Sequence, residues 1–198
     1  MPIGGGPLEA VVIGASAGGP SAIETVLCGL PAAFPAPIAV CQHMIQGATA
    51  PWAKRLDSVC PLAVTEARDC ERFEAGRVYV APTGTHMLIR GTPDAPRVSL
   101  MPDFADAMHV PSIDFLMNSA AVVFGHRMVA ALLTGMGSDG AMGLLSVRRC
   151  GGVTLAQSED TAFMPSMPRT AAELGAVSEV VPLERMASVL AERVAGRL

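Results

Sequence analysis

The chain is poor in charge, in aromatics and in lysine. Only 16% of its 198 residues are Asp, Glu, Lys or Arg, against the roughly 25% of an average soluble protein. Lys54 is the only lysine, and no cluster of Lys and Arg occurs anywhere. That excludes the basic footprint of a nucleic-acid binder. Aromatic residues make up 4% of the chain, with one Trp and one Tyr, which argues against the stacking platforms that hold single strands. No run reaches the roughly 20 apolar residues of a membrane span. The opening MPIGGGPLEA has no basic stretch, and the apolar run Leu8–Ile13 is too short for a secretory signal. The expectation is therefore a cytoplasmic protein with no membrane insertion. Cys28, Cys41, Cys60, Cys70 and Cys150 are odd in number and form no CxxC pair, so they read as reduced, mostly buried thiols. His43, His86, His109 and His126 lack zinc-type spacing, and no metal is expected.

Aliphatic residues are what the chain has in abundance. Half of it is hydrophobic (51%), mostly Ala, Val, Leu and Met, which excludes a disordered chain and suffices at this length for a full core. Leu8–Ile13, Ile38–Cys41, Leu62–Thr65, Val78–Ala81, Met128–Leu133, Gly152–Ala156 and Ser178–Val181 read as short strands. Pro20–Leu30, Thr49–Val59, a stretch to Phe124 preceded by Pro111 and Ser112 (with Ser112 as N-cap), Gly140–Arg149, Pro168–Leu174 and Leu183–Val194 read as helices. His86–Arg90 and Arg97–Leu100 flank the turn GTPDAP and read as an antiparallel hairpin. The alternation predicts an α/β fold: a doubly wound, mainly parallel sheet with helices on both faces and an antiparallel edge hairpin. Residues 8–196 read as a single domain, with 1–7 as a flexible N-terminus.

In such a fold, ligands bind beyond the carboxyl ends of the strands. Three polar segments fall there: Gly14-Ala15-Ser16-Ala17-Gly18-Gly19, Gln42-His43-Met44, and Thr134-Gly135-Met136-Gly137-Ser138-Asp139-Gly140. Ser16, His43 and Asp139 thus gather at one sheet edge. Nucleophilic acyl transfer needs this set: a hydroxyl, a base to take its proton, and a carboxylate to orient the base. Glycines beside Ser16 permit a tight, exposing turn, and Gly135 and Gly137 let amides near Met136 face outward as oxyanion donors. Each residue also has a plainer role. Ser16 or Asp139 can cap a helix, and His43 can be an ordinary semi-buried histidine. Two other motif readings fit poorly. A dinucleotide site would want glycine where Ser16 stands and an acid after the second strand. The literal G-x-S-x-G of an α/β-hydrolase would want its histidine last, yet no histidine follows His126.

At these motifs the chain resembles the catalytic domain of the chemotaxis protein-glutamate methylesterases, the CheB type, from about Glu9 to Val194. The resemblance rests on GASAGG at Gly14–Gly19, QHM at Gln42–Met44 and LTGMGSDGA at Leu133–Ala141. Supporting it are YVAP at Tyr79–Pro82, PSID at Pro111–Asp114, AQSE at Ala156–Glu159, MPR at Met167–Arg169 and VSEVV at Val177–Val181. It implies hydrolysis of γ-glutamyl methyl esters on the cytoplasmic helices of methyl-accepting chemoreceptors, with deamidation of receptor glutamines as a second activity. Ser16 would be the nucleophile, His43 the base, Asp139 the orienting carboxylate and the Met136 amide an oxyanion donor, with no cofactor. With only about eight residues before the first strand, it implies a catalytic domain without the receiver domain such proteins carry. Ile45-Gln46-Gly47 stands where the family commonly has prolines, and Val110 where a basic residue is common. Met164–Pro168 reads either as a mobile wall of the cleft or as an ordinary packed loop. Two alternatives stand beside this reading: a non-catalytic interaction module of the same fold, and an esterase for small molecules.

Overall fold

A computed structural model describes residues 8–103 and 108–196. Seven strands form one parallel sheet: β1 (Ala10–Ala15), β2 (Ile38–Gln42), β3 (Ala63–Glu66), β4 (Arg77–Val80), β7 (Met128–Leu132), β8 (Val153–Gln157) and β9 (Glu179–Val181), in the order β3-β4-β2-β1-β7-β8-β9. The helices are α1 (Gly19–Cys28), α2 (Thr49–Val59), α3 (Ile113–Phe124), α4 (Ala141–Arg149), α5 (Ser166–Glu173) and α6 (Leu183–Val194).

Every residue of β1, β2 and β7 is buried, as a sheet covered on both faces requires. The period of two sends alternate side chains to opposite cores. Val11 and Ile13, with Val129 and Ala131, meet α1, α2 and α6 on one side. Val12, Ala130 and Leu132 meet α3, α4 and α5 on the other. The predicted elements are all present, most with ends moved by one or two residues.

The hairpin, β5 (His86–Thr92) and β6 (Ala95–Met101), forms its own two-stranded sheet instead of extending the edge of the parallel one. Met87, Ile89 and Val98 share the α3-side core, and the Ile89 amide donates to Ser119 Oγ on α3. The apolar stripe of the hairpin is thus covered by a helix face, and the outer edge of β6 bonds to residues 70–73: the Val98 amide donates to the Glu71 carbonyl, and the Cys70 and Phe73 amides donate to the carbonyls of Val98 and Pro96. The cysteines depart from expectation: Cys41 alone is buried, while Cys28, Cys70 and Cys150 are exposed. Cys28 ends α1 and Cys60 follows α2, where helix termini surface. Residues 1–7, read as a flexible end, lie outside the described residues.

β1 is central, and the chain leaves it first for β2 on one side and later for β7 on the other. That reversal opens a crevice above the carboxyl ends of β1, β2 and β7, where open α/β sheets place their ligands.

Candidate active site

The three segments singled out at the strand ends converge on this crevice. Ala15 pairs with Gln42, and the His43 amide donates to the Ala15 carbonyl, so Ser16 and His43 follow on adjacent strands. The Ser16 amide donates to the Thr134 carbonyl and ties the turn to the segment after β7. That segment must run very close to Ser16. A Cβ on Gly135 would lie 2.9 Å from Ser16 Cβ and 2.0 Å from Met167 Sδ, so only glycine fits without displacement.

His43 Nε2 lies 2.8 Å from Asp139 Oδ2, with both side chains about nine-tenths buried (11% and 10% exposed). A carboxylate accepts, so Nε2 carries the proton and Nδ1 is the bare acceptor. Nδ1 is buried and has no partner among the described residues. In the serine-protease template the carboxylate holds Nδ1 and the serine faces Nε2; this ring is turned the other way round, with Nε2 toward the carboxylate.

Asp139 has a second task. Oδ2 also accepts from the Ile113 amide at 2.8 Å, while Oδ1 accepts from Ser112 Oγ and the Asp114 amide, each at 3.0 Å. These are orphan donors at the N-terminus of α3, joined by the N-cap Ser112. Asp114 returns the favour: its Oδ1 accepts from the Gly140 amide at 2.9 Å and the Gly143 amide at 2.6 Å, capping α4. Gly140, at φ 92°, is in the left-handed region that this sharp entry into α4 requires. The plainer reading of Asp139, a cap on the helix that follows it, is corrected: Asp139 caps α3 and Asp114 caps α4. Burial pushes the Asp139 carboxyl up, but the hydrogen bonds from His43 and from the Ile113 and Asp114 amides outweigh it and hold it below its usual range. Burial, with Asp139 as a charged neighbour, raises Asp114 despite its two amide donors.

Ser16 and Met136 are different. Among the described residues, no hydrogen bond engages Ser16 Oγ or the Met136 amide, although Gly135 N donates to the Met164 carbonyl and Gly137 N to Ser166 Oγ on either side. Met136 itself is 69% exposed. Ser16 Oγ makes no direct bond to His43; catalytic hydrogen bonds are often loose before substrate arrives.

Two residues with positioning roles escaped the sequence reading. Gln42 is buried, and its Nε2 donates to the carbonyls of both Ser16 (2.8 Å) and His43 (2.9 Å). Its Oε1 lies against Gly19, where a Cβ would sit 1.9 Å away. A glutamine at the last position of a buried strand was the available signal. Gln157 Oε1 accepts from the Thr134 amide, and Thr134 Oγ1 donates to the Ala17 carbonyl, so β8 also helps fix the serine turn. The Met164–Pro168 segment is a packed wall: the Met164 amide donates to Thr134 Oγ1, the Met167 amide donates to the Gly135 carbonyl, and Met167 is fully buried.

Open depressions flank the site. One of about 370 Å³ has His109, Phe115 and Ser138 in its walls, and another of about 230 Å³ lies by Gly18 and Phe163. No cluster of three His, Cys, Asp or Glu suited to a metal occurs among the described residues. None of the described helices is long and apolar enough to cross a membrane.

The family described as CheB methylesterase matches residues 11–190. The chain is 43% identical, over 95% of its length, to protein-glutamate methylesterase/protein-glutamine glutaminase 3 of Geobacter sulfurreducens. It is 44% identical, over 94%, to protein-glutamate methylesterase/protein-glutamine glutaminase 2 of Pseudomonas aeruginosa. It spans about half the length of these relatives, 51% and 53%. The crystal structure of the Thermotoga maritima CheB methylesterase catalytic domain superposes with a TM-score of 0.90 at 36% identity, covering 93% of this chain and 97% of that one.

Proposed function

The chain belongs to the CheB methylesterase family, and on that premise we propose that Ser16, His43 and Asp139 are the triad of a serine hydrolase. Its substrates would be γ-glutamyl methyl esters on the cytoplasmic helices of chemoreceptors. The observation that carries this reading is the buried His43–Asp139 pair beside Ser16, with the free nitrogen Nδ1 left for the hydroxyl.

Ser16 Oγ attacks the glutamyl carbonyl while His43 Nδ1 takes its proton. Asp139, still ionised, steadies the imidazolium through Nε2–H. The Met136 amide, which has no partner among the described residues, donates to the oxygen on which negative charge develops. Collapse of the tetrahedral intermediate expels methanol, which leaves with the proton from His43. Water, deprotonated by the same nitrogen, then frees the glutamate and restores Ser16. A receptor glutamine can follow the same path with ammonia as the leaving group, which accords with the double name of the relatives. The depressions beside the site are open, and that suits the flank of a protein helix better than an enclosed metabolite.

The test is methanol release from a methylated receptor cytoplasmic fragment by the wild type and by Ser16→Ala. Release by the wild type, lowered by roughly three orders of magnitude or more in the variant, supports the reading. Equal release by both ends the serine mechanism. No release by either, with the fold intact, counts against this ester as the substrate.

A further inference from the structure

His109 lies in the segment between β6 and α3, outside the three strand-end motifs. Its ring is stacked on that of His43, with centroids 4.1 Å apart and planes inclined by 17°. Nearly parallel rings this close leave no room for water between them, so one face of the base is covered by another imidazole. The edges of His43 are committed elsewhere, Nε2 to Asp139 and the buried Nδ1 to the side left for the serine.

We propose that His109 is a positioning residue for the hydrolysis, a neutral ring laid on the face of His43 that fixes its plane and seals the Nε2–H···Asp139 bond from solvent. This rests on the triad reading above. Two cations at this separation would repel strongly in a half-buried site, and the mechanism requires His43 to become the cation. His109 is suited to stay neutral: burial and the neighbouring His43 depress its proton affinity, and only Asp139 pulls the other way. Among the described residues, His43 and Asp139 are the charged groups that act on His109, and Asp139 is in turn neighboured by Asp114 and by the Cys41 thiol, which burial keeps protonated. A neutral aromatic face also favours the imidazolium when it forms. A ring is therefore what the position needs, and its nitrogens are secondary.

The test compares His109→Ala with His109→Phe in the whole chain. Proton NMR should show the bonded His43 Nε2–H as a far-downfield resonance in the wild type, absent from Asp139→Asn. His109→Phe should keep this resonance and His109→Ala should lose it to exchange with water. With the methylated receptor fragment, His109→Ala should lower kcat about tenfold to a hundredfold, as small misplacements of a reacting group do, with KM within about twofold. His109→Phe should recover most of kcat. The proposal is overturned if His109→Ala keeps both resonance and kcat, if KM changes instead of kcat, if His109→Phe is as impaired as His109→Ala, or if the folded wild type shows no such resonance. A resonance that follows the expected pattern in a protein that releases no methanol keeps the stack and rejects the substrate. Methanol release abolished by Ser16→Ala but indifferent to His109 does the reverse.

Discussion

The two halves of the site are built on opposite plans. On the side of the base, the carboxylate is saturated with hydrogen bonds. Asp139 accepts from His43, Ser112, Ile113 and Asp114, and Asp114 accepts in turn from the start of α4. On the side of the nucleophile, Ser16 Oγ and the Met136 amide engage nothing within the described residues, although the backbone around them is pinned by Gln42, Thr134 and Met164. The first half spends folding interactions to fix a carboxylate and a ring. The second holds two polar groups in place and leaves their bonding capacity unused, as an oxyanion site must if its donors are to act on substrate. On the proposed mechanism, helix capping and catalysis share one carboxylate, and a change at Asp139 is expected to damage both.

The largest effect expected from breaking this contrast is at Asp139. Asp139→Asn turns an amide toward a donor that needs an acceptor and favours the wrong tautomer of His43. The kcat/KM should fall by roughly three to four orders of magnitude. Urea denaturation should also show a loss of about 1–3 kcal/mol, the cost of buried donors left unpaired at α3. Full stability alongside lost activity would mean that the caps do not depend on the charge.

The next largest effect tests the opposite half. Gly135→Ala places a methyl 2.9 Å from Ser16 Cβ and against Met167. It should lower kcat by more than about tenfold through displacement of Ser16 and cost about 1–3 kcal/mol of stability from overpacking. Removing the sulfur in Gly135→Ala/Met167→Ala should leave kcat low, because the clash with Ser16 persists. Restored turnover would place the whole conflict at Met167. Below this comes Gln42→Met, which keeps the volume and deletes both donor bonds. It should reduce kcat by roughly tenfold, and an unchanged kcat would show that the strand ladder alone sets the spacing of Ser16 and His43.

The contrast also marks what the sequence could tell. The strands and helices were legible because burial on both faces leaves continuous aliphatic runs, and the helices carry their own stop signals. The placing of Ser16, His43, Asp139 and Met136 at one edge of the sheet was legible because each follows a parallel strand. Ser112 was legible as a cap from its place before Ile113. The reciprocal caps were not: Asp114 and Asp139 are far apart in the chain, and each serves the helix that the other one begins or precedes. The hairpin was legible as a hairpin but was expected at the edge of the parallel sheet, since its register is local and its docking on α3 as a separate sheet is tertiary. Gln42 looked like half of a motif, and His109 belongs to no periodic pattern.

The smallest expected effect separates the two carboxylates by pH. Asp139 is held below the ordinary aspartate value of 3.8. The native state therefore keeps it ionised where the unfolded chain takes up a proton. Its contribution to stability is present above 3.8 and is lost as pH falls through its lowered value. Asp114 is raised from 3.8, so its sign is reversed: its contribution is present below 3.8 and is lost as pH rises through its raised value. Asp114→Asn can keep the single oxygen that accepts from Gly140 and Gly143 while removing the charge beside Asp139. Relative to the wild type, the variant should be more stable at pH 7 than at pH 4, by an amount on the order of 1 kcal/mol or less, in paired denaturation curves. An identical difference at both pH values would show that Asp114 titrates as an ordinary carboxyl, and that the strain between the two caps is taken up by Asp139 alone.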